Sequence, residues 1–219
     1  MKIVIIPGFI DSPEGKCFPD LERLFNDNGH TVINIAWPHF PSELDKYSIT
    51  STLEYAREIL KNINCEDLVI LGFSMGGIIA TILANEFKPK KLGLIVSPYQ
   101  AGTDDDLEGK YKEWKEMGYR VLTTKKFGEL NIPFSFIEDA RKYNALDVIG
   151  QITCPKLFIV AENDDKVSRE ASTKLYEKAR EIKEWKLIQG MEHKYQYQPE
   201  MLKRVNEILM AFVDLEANL

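Results

Sequence analysis

The segment from Asp67 to Gly77, DLVILGFSMGG, constrains the fold of this chain more than any other stretch. Leu68 to Leu71 form a short apolar run, which is typical of a parallel strand buried on both faces. The pattern G-x-S-x-G follows at once, with the serine at Ser74. Its glycines permit a tight turn from strand to helix that exposes the serine hydroxyl at the carboxyl end of a sheet. The alternative is an ordinary glycine-rich turn in which Ser74 only caps the helix.

Short apolar runs alternate with helical patterns, which predicts βαβ units and a mostly parallel six-stranded sheet with helices on both faces. The predicted strands are Lys2–Pro7, Thr31–Trp37, Leu68–Phe73, Lys91–Ser97, Lys156–Ala161 and Trp185–Gln189. The predicted helices are Phe18–Asn28, Ser51–Asn62, Met75–Phe87, Arg169–Glu181 and Pro199–Leu215. Because ligands bind outside the carboxyl ends of such strands, we expect the residues that follow them to form the site. These residues are Gly8, Ser74, Asp164 and His193.

The chain length predicts a single domain over residues 1–219, since 219 residues provide one substantial core but not two. Residues 99–145 interrupt the alternation, because they contain no clear core strand and mix charged with aromatic side chains. Leu107, Tyr111 and Trp114 recur there at helical spacing. We interpret residues 99–145 as a small cap over the site. The alternative is an elaborate crossover packed on the edge of the sheet.

Composition and charge restrict the partners and the location. A net charge of -6 argues against nucleic acid or an anionic membrane as the main partner. No apolar run approaches the length of a membrane span, and the first residues resemble a core strand rather than a signal peptide. Cys17, Cys65 and Cys154 are odd in number and form no C-x-x-C pair, so we expect reduced thiols and a cytoplasmic protein. Nothing in the sequence specifies an oligomeric state.

An activated serine needs a base whose pKa lies near 7 and an acid that orients that base. Of the three histidines, only His193 follows both Ser74 and a plausible acid, and it lies just beyond the last predicted strand. His30 precedes a strand, and His39 fits better as a loop or packing residue. Asp164 and Asp165 compete for the role of the acid, and the residues alone do not separate them; Glu162 is a third candidate after these two.

An oxyanion hole needs two backbone N–H groups that point at the developing negative charge. Met75 can supply one from the start of the helix. Phe9 is the candidate for the other, because Gly8 allows this backbone to approach closely. No group of His, Cys and Asp residues has the spacing of a metal site, so we expect neither a metal nor a cofactor.

Over nearly its whole length the chain resembles the α/β-hydrolase superfamily, in particular its small carboxylesterases and acylglycerol-lipase-like members. The matching landmarks are Pro7-Gly8-Phe9, Ser12-Pro13-Glu14-Gly15, the segment 72–77, the segment 161–167, and Gly190-Met191-Glu192-His193. Pro7 stands where family members usually carry histidine, and Ala161 stands where they carry glycine. The family's acid lies in a G-x-x-D-x-x-V pattern, so alignment on Val167 implies that Asp164 is the acid. The chain also departs from the family in its sheet, which is expected to begin directly with the strand that leads to Pro7-Gly8, without the family's usual first antiparallel strands.

The resemblance implies a serine hydrolase that cleaves small-molecule carboxylic esters with short or medium acyl chains through an acyl-enzyme intermediate. Ser74 would attack, His193 would transfer the proton and Asp164 would orient it. Trp114, Phe127 and Phe134 in the cap would line an apolar acyl pocket. A peptidase, a thioesterase or a carbon–carbon bond hydrolase could use the same triad, and a non-catalytic binding protein could share the fold.

Overall fold

A computed structural model describes residues 1–11, 18–103 and 107–215. Its main sheet has six parallel strands in the order β2-β1-β3-β4-β7-β8. The strands are β1 (Lys2–Ile6), β2 (Thr31–Asn34), β3 (Leu68–Phe73), β4 (Lys91–Ile95), β7 (Lys156–Asn163) and β8 (Lys183–Glu192). The predicted fold class is therefore confirmed. The motif Ser12-Pro13-Glu14-Gly15 and Cys17 lie outside the described residues.

Helices cover both faces of this sheet. They are α1 (Phe18–Asp27), α2 (Ile49–Leu60), α3 (Gly76–Phe87), α7 (Arg169–Lys178) and α8 (Pro199–Asp214). Side chains in a strand alternate between faces. Val4 and Ile6 of β1 accordingly pack in one core with α2 and α3, whereas Ile3 and Ile5 pack in a second core with α1 and α8. Burial on both sides explains why these strands read as unbroken apolar runs in the sequence.

The segment between β4 and β7 contains α4 (Lys112–Met117), a short helix that carries Trp114, one of the residues that recur at helical spacing. It also contains elements that the sequence did not predict, which are the antiparallel hairpin of β5 (Tyr119–Thr124) and β6 (Gly128–Pro133), α5 (Ser135–Ala140) and α6 (Leu146–Ile149). The indole N–H of Trp114 in α4 donates to the Ile132 carbonyl of the hairpin at 2.9 Å. Asp139 of α5 accepts from the Thr50 backbone N–H in α2 at 2.9 Å. The first bond joins two parts of the segment, and the second attaches the segment to α2 on the face of the sheet that carries α2 and α3.

Most predicted boundaries differ from the observed ones by a few residues at the ends of elements. β2 ends at Asn34 and not at Trp37, although the Ile35 N–H still donates to the Ile5 carbonyl at 2.9 Å. α7 ends at Lys178 and not at Glu181. There the Lys183 ammonium donates to the Tyr176 and Ala179 carbonyls at 2.9 and 2.8 Å. A lysine thus satisfies the carbonyl groups that a helix leaves without partners at its end.

A second lysine also donates to the carbonyl groups at the end of a helix, but this one lies inside the core. Lys91 at the start of β4 is 2% exposed, and its ammonium donates to the Phe212 and Val213 carbonyls at 2.7 and 2.9 Å and also to the Leu215 carbonyl. Burial lowers the pKa of Lys91. A cation at the carboxyl end of α8 also interacts favourably with the helix dipole. Lys91 therefore ties the last helix to the centre of the sheet.

We expect Lys91→Met to lower the free energy of unfolding by about 1–3 kcal/mol, because buried carbonyls lose their donor. Urea unfolding measured by circular dichroism checks this. Lys90→Met is the matched control, since Lys90 is the exposed neighbour and its loss should leave stability unchanged. Equal stabilities for the two variants would contradict the role given to Lys91.

Candidate active site

Ser74 lies on a strained turn between β3 and α3. Its φ is 50°, a left-handed conformation that is uncommon for residues other than glycine. The Ser74 N–H donates to the Ile95 carbonyl at 2.8 Å, and the Ser74 carbonyl accepts from the Gly77 N–H at 2.9 Å. The first bond holds the turn against the end of β4, at the carboxyl edge of the sheet, and the second closes the turn itself.

The two glycines of the motif are required by close contacts. A Cβ on Gly72 would lie 2.5 Å from the Ala80 Cβ, and one on Gly76 would lie 2.4 Å from the Ile6 carbonyl oxygen. Both distances are too short for real atoms, and the second partner is a backbone atom that cannot rotate away. This turn therefore has room only for glycine at both positions, and Ser74 lies at its tip.

His193 lies between Ser74 and Asp164. Its Nε2 is 2.9 Å from the Ser74 Oγ, and its Nδ1 is 2.9 Å from the Asp164 Oδ2. The other carboxylate oxygen of Asp164, Oδ1, accepts from the backbone N–H groups of Lys166 and Val167 at 2.9 and 2.8 Å. The side chains of Asp164 and His193 are only 4% and 12% exposed. Three residues distant in sequence thus form one continuous, largely buried chain of contacts.

The neighbouring candidates have other partners. Asp165 points outward, with a side chain 66% exposed, and pairs with the Lys166 ammonium at 2.7 Å. The His30 imidazole contacts Asp214 at 2.9 Å, and the His39 imidazole contacts Glu43 at 3.0 Å. The alternative acid and the alternative bases therefore form their own contacts away from the Ser74 hydroxyl.

The loop that carries His193 is held by two residues that sequence reasoning did not assign to this role. The amide of Gln198 accepts from the Glu192 N–H and donates to the Gly190 carbonyl, both at 3.0 Å. The Glu162 carboxylate accepts from the Gly190 N–H at 2.9 Å. Gly190 lies within β8 and has a φ of 72°, at the place where the pairing of β7 with β8 shifts register just before His193. No local pattern in the sequence marks Gln198, because its partners lie six and eight residues away.

The loop after β1 approaches Ser74 closely. A Cβ on Gly8 would lie 3.1 Å from the Ser74 Cβ. Within residues 1–11, 18–103 and 107–215, the N–H groups of Phe9 and Met75 have no protein acceptor. Met75 immediately precedes α3, where helix N–H groups lack partners inside the helix. Met75 directly follows Ser74 in the sequence, and Phe9 follows Gly8, which lies against the Ser74 side chain, so both N–H groups belong to segments next to the serine.

Aromatic side chains surround the loop after β1. The Phe9 ring lies 4.8 Å from that of Phe136 and 6.1 Å from that of Trp114, measured between centroids. Phe134 lies behind Trp114 at 6.3 Å, and Phe127 packs on Phe40 at 5.4 Å. Of the three residues expected to line an acyl pocket, Trp114 contacts this loop directly. Trp114 and Phe134 are buried, whereas Phe127 is half-buried.

Two features, a cluster of metal ligands and a membrane-crossing helix, are absent from the part of the chain that the structure describes. It contains no group of three or more His, Cys, Asp or Glu side chains that could hold a metal ion. None of its helices has the length and apolar character of a membrane-crossing segment.

Comparison with known proteins relates this arrangement to one family. The model of the alpha/beta hydrolase family matches residues 3–200. No curated protein sequence matches the chain significantly. The crystal structure of a putative hydrolase from Agrobacterium vitis S4 is 18% identical with a TM-score of 0.80, and the match covers 97% of this chain and 88% of the other.

Two further structures show the same likeness. The mouse alpha/beta hydrolase domain-containing protein 10 is 20% identical with a TM-score of 0.78, over 97% of this chain and 89% of the mouse chain. Est1E from Butyrivibrio proteoclasticus, in complex with ferulic acid, is 16% identical with a TM-score of 0.74, over 96% of this chain and 87% of the other. At these identities the likeness is one of fold.

Proposed function

Since this chain belongs to the alpha/beta hydrolase family, we propose that it is a serine hydrolase that cleaves carboxylic esters with short or medium acyl chains. The observation that supports this most strongly is the contact chain from the Ser74 Oγ through the His193 imidazole to the Asp164 carboxylate, with both distances at 2.9 Å. A nucleophile, a base and an orienting acid in this order are the parts that acyl transfer at serine needs.

The proposed reaction has two halves. In the first, the Ser74 Oγ attacks the ester carbonyl carbon while His193 Nε2 takes the hydroxyl proton. The tetrahedral intermediate then collapses, the alcohol leaves with that proton, and the acyl group stays on Ser74. In the second, His193 Nε2 takes a proton from water, and the resulting hydroxide attacks the acyl-enzyme. The carboxylic acid leaves and Ser74 regains its proton.

Asp164 would fix the imidazole in the tautomer that this reaction needs. Its Oδ1 already accepts two backbone N–H groups, so Oδ2 is available to accept the His193 Nδ1–H. Nε2 is then unprotonated and can accept the proton of Ser74. A buried carboxylate also stabilises the imidazolium that forms during attack.

The N–H groups of Phe9 and Met75 would bind the oxyanion of each tetrahedral intermediate. The absence of a protein acceptor for either group, among the residues that the structure describes, supports this role. The positive end of α3 adds to the stabilisation of negative charge at Met75. Donors fixed before the reaction are effective because they need no reorganisation when the charge develops.

Residues 99–145 would act as a cap within a single domain and help to select the substrate. The contact between Trp114 and Phe9 supports this, because it joins the segment to the loop beside the nucleophile. Trp114, Phe127 and Phe134 would then offer an apolar wall to the acyl chain. Cys65 and Cys154 are free thiols, which supports the cytoplasmic location proposed from the sequence.

We choose esters over other acyl compounds as the substrate class because the structures of similar fold include the esterase domain of a Rhodothermus marinus protein. A substrate panel tests this choice. We expect p-nitrophenyl esters from acetate to octanoate to give the highest kcat/KM, above a matched thioester, a peptide p-nitroanilide and a β-diketone. A preference for the anilide would make the protein a peptidase. Failure to turn over any of them would favour a binding protein with this fold.

A further inference from the structure

The loop that carries the proposed oxyanion donor Phe9 has an unusual backbone. Ile10 has a φ of 54°, a left-handed conformation that β-branched residues rarely adopt. The Asp11 N–H donates to the Gly8 carbonyl at 3.1 Å, which closes a tight turn around Phe9. A turn with this strain persists only when the surrounding structure holds it in place. The groups that hold it therefore decide where the Phe9 N–H points.

Tyr47 holds this turn from the side. The Ile10 N–H donates to the Tyr47 hydroxyl oxygen at 3.0 Å, although the residues are 37 positions apart. The Tyr47 ring stacks on the Phe9 ring, with centroids 6.0 Å apart. Tyr47 therefore contacts both the Phe9 side chain and the peptide group that follows it. Together these contacts restrict the rotation of Phe9 about its backbone.

Tyr47 itself is firmly fixed. It is 1% exposed, and its ring packs against Phe136, Trp37 and Phe40 at centroid distances of 4.7, 5.1 and 5.4 Å. Burial raises the pKa of the Tyr47 hydroxyl far above its ordinary value, so the group stays neutral. A neutral hydroxyl in a rigid aromatic cluster is a stable anchor for a backbone N–H.

Trp37 from the same segment anchors the start of the loop. Its indole N–H donates to the Pro7 carbonyl at 3.1 Å. Pro7 and Ile10 flank Gly8 and Phe9, so the loop is held on both sides of the proposed donor. Both anchors come from the segment between β2 and α2, which contains none of the proposed catalytic residues.

From these contacts we infer that Tyr47 is a positioning residue for the oxyanion hole, and that it aims the Phe9 N–H by holding Ile10. This inference rests on the proposed esterase function. Tyr47 would not touch the substrate. Its loss should weaken binding of the transition state more than binding of the ground state, because the oxyanion exists only in the former.

Tyr47→Phe tests the inference, since it removes the hydroxyl and keeps the ring. We expect kcat for p-nitrophenyl butyrate to fall by about tenfold or more with KM unchanged, since complete loss of one oxyanion donor costs about 100- to 1000-fold. The inhibition constant of a trifluoromethyl ketone should rise by the same factor as kcat/KM falls. This ketone forms a hemiketal oxyanion with an active serine, so it reports on the same hole.

Tyr176→Phe is the matched control, because it makes the same chemical change in another aromatic cluster. Tyr176 lies in α7, where its ring packs against Phe158 and Trp185 at centroid distances of 5.4 and 5.3 Å, away from the loop after β1 and from residues 99–145. This variant should leave kcat and the inhibition constant unchanged. If Tyr47→Phe does not fold, Trp37→Phe tests the same loop through Pro7 and should give the same loss of kcat.

Wild-type values of kcat and of the inhibition constant in folded Tyr47→Phe would overturn the inference. An increase in KM without a loss of kcat would overturn it as well. Failure of the proposed function looks different, because the wild-type protein would then neither hydrolyse the ester nor bind the ketone.

Discussion

Ser74→Ala is expected to lower kcat for p-nitrophenyl ester hydrolysis by about 10⁵- to 10⁶-fold, since removal of a catalytic serine has effects of this size in well-studied serine hydrolases. The Ser74 Oγ is the only protein atom in the proposed mechanism that forms a covalent bond to the substrate. Without it, His193 has no nucleophile to activate, and the oxyanion donors can assist only a slow attack by water. Steady-state kinetics with p-nitrophenyl butyrate measures the loss.

The fold should survive this substitution. The side chain of Ser74 makes its hydrogen bond to His193, and the left-handed backbone is held by the Ile95 carbonyl and the Gly77 N–H. Ser51→Ala is a matched control, because Ser51 is also half-buried and its hydroxyl donates to the carbonyl of Ser48, the residue just before α2. It should keep full activity. Full activity in Ser74→Ala would end the proposal of a serine nucleophile.

Asp164→Asn is expected to lower kcat by about 10⁴-fold, as the corresponding change does in serine proteases. The physical reason lies in the two backbone donors at Oδ1. The amide oxygen of asparagine must face the N–H groups of Lys166 and Val167, so its NH₂ group must face His193 Nδ1. Nδ1 then acts as an acceptor and the proton moves to Nε2. In that tautomer Nε2 cannot accept the proton of Ser74.

Asp165→Asn is the matched control for this effect. It makes the same chemical change at the next residue, where the side chain is exposed and paired with Lys166. Its kcat should remain close to that of the wild type. A larger loss in Asp165→Asn than in Asp164→Asn would transfer the role of the acid to the exposed residue.

Much of the fold could be predicted because the strands are buried on both faces. β3 and β7 are short apolar runs bounded by polar residues, and the residues that follow parallel strands meet at one edge. From the sequence alone, that rule places Ser74, Asp164 and His193 at one edge of the predicted sheet. The G-x-S-x-G spacing is likewise a direct result of close packing, because Gly72 and Gly76 have no room for a Cβ.

The hairpin of β5 and β6 could not be predicted in the same way. Most of the side chains of β5 are exposed, so its sequence shows no alternation between apolar and polar residues. Only Leu130 and Ile132 in β6 are buried, which is too few for a recognisable pattern. Its position depends on tertiary contacts such as the bond from Trp114 to Ile132.

The contacts of the site residues could not be predicted from the sequence either. Asp164 and Asp165 are chemically identical, and only the direction of each side chain separates them. Tyr47 contacts Ile10 across 37 positions, and no local period relates the two residues. Long-range contacts of this kind depend on the folded core, which sequence spacing does not describe.

Labelling with a fluorophosphonate, followed by mass-spectrometric mapping of the modified residue, tests the central claim most directly. This probe phosphonylates a serine whose hydroxyl is activated by a neighbouring base. We predict one modification, at Ser74, in the folded wild-type protein and none after denaturation. An unmodified Ser74, or modification at another serine while ester hydrolysis is lost, would contradict the account.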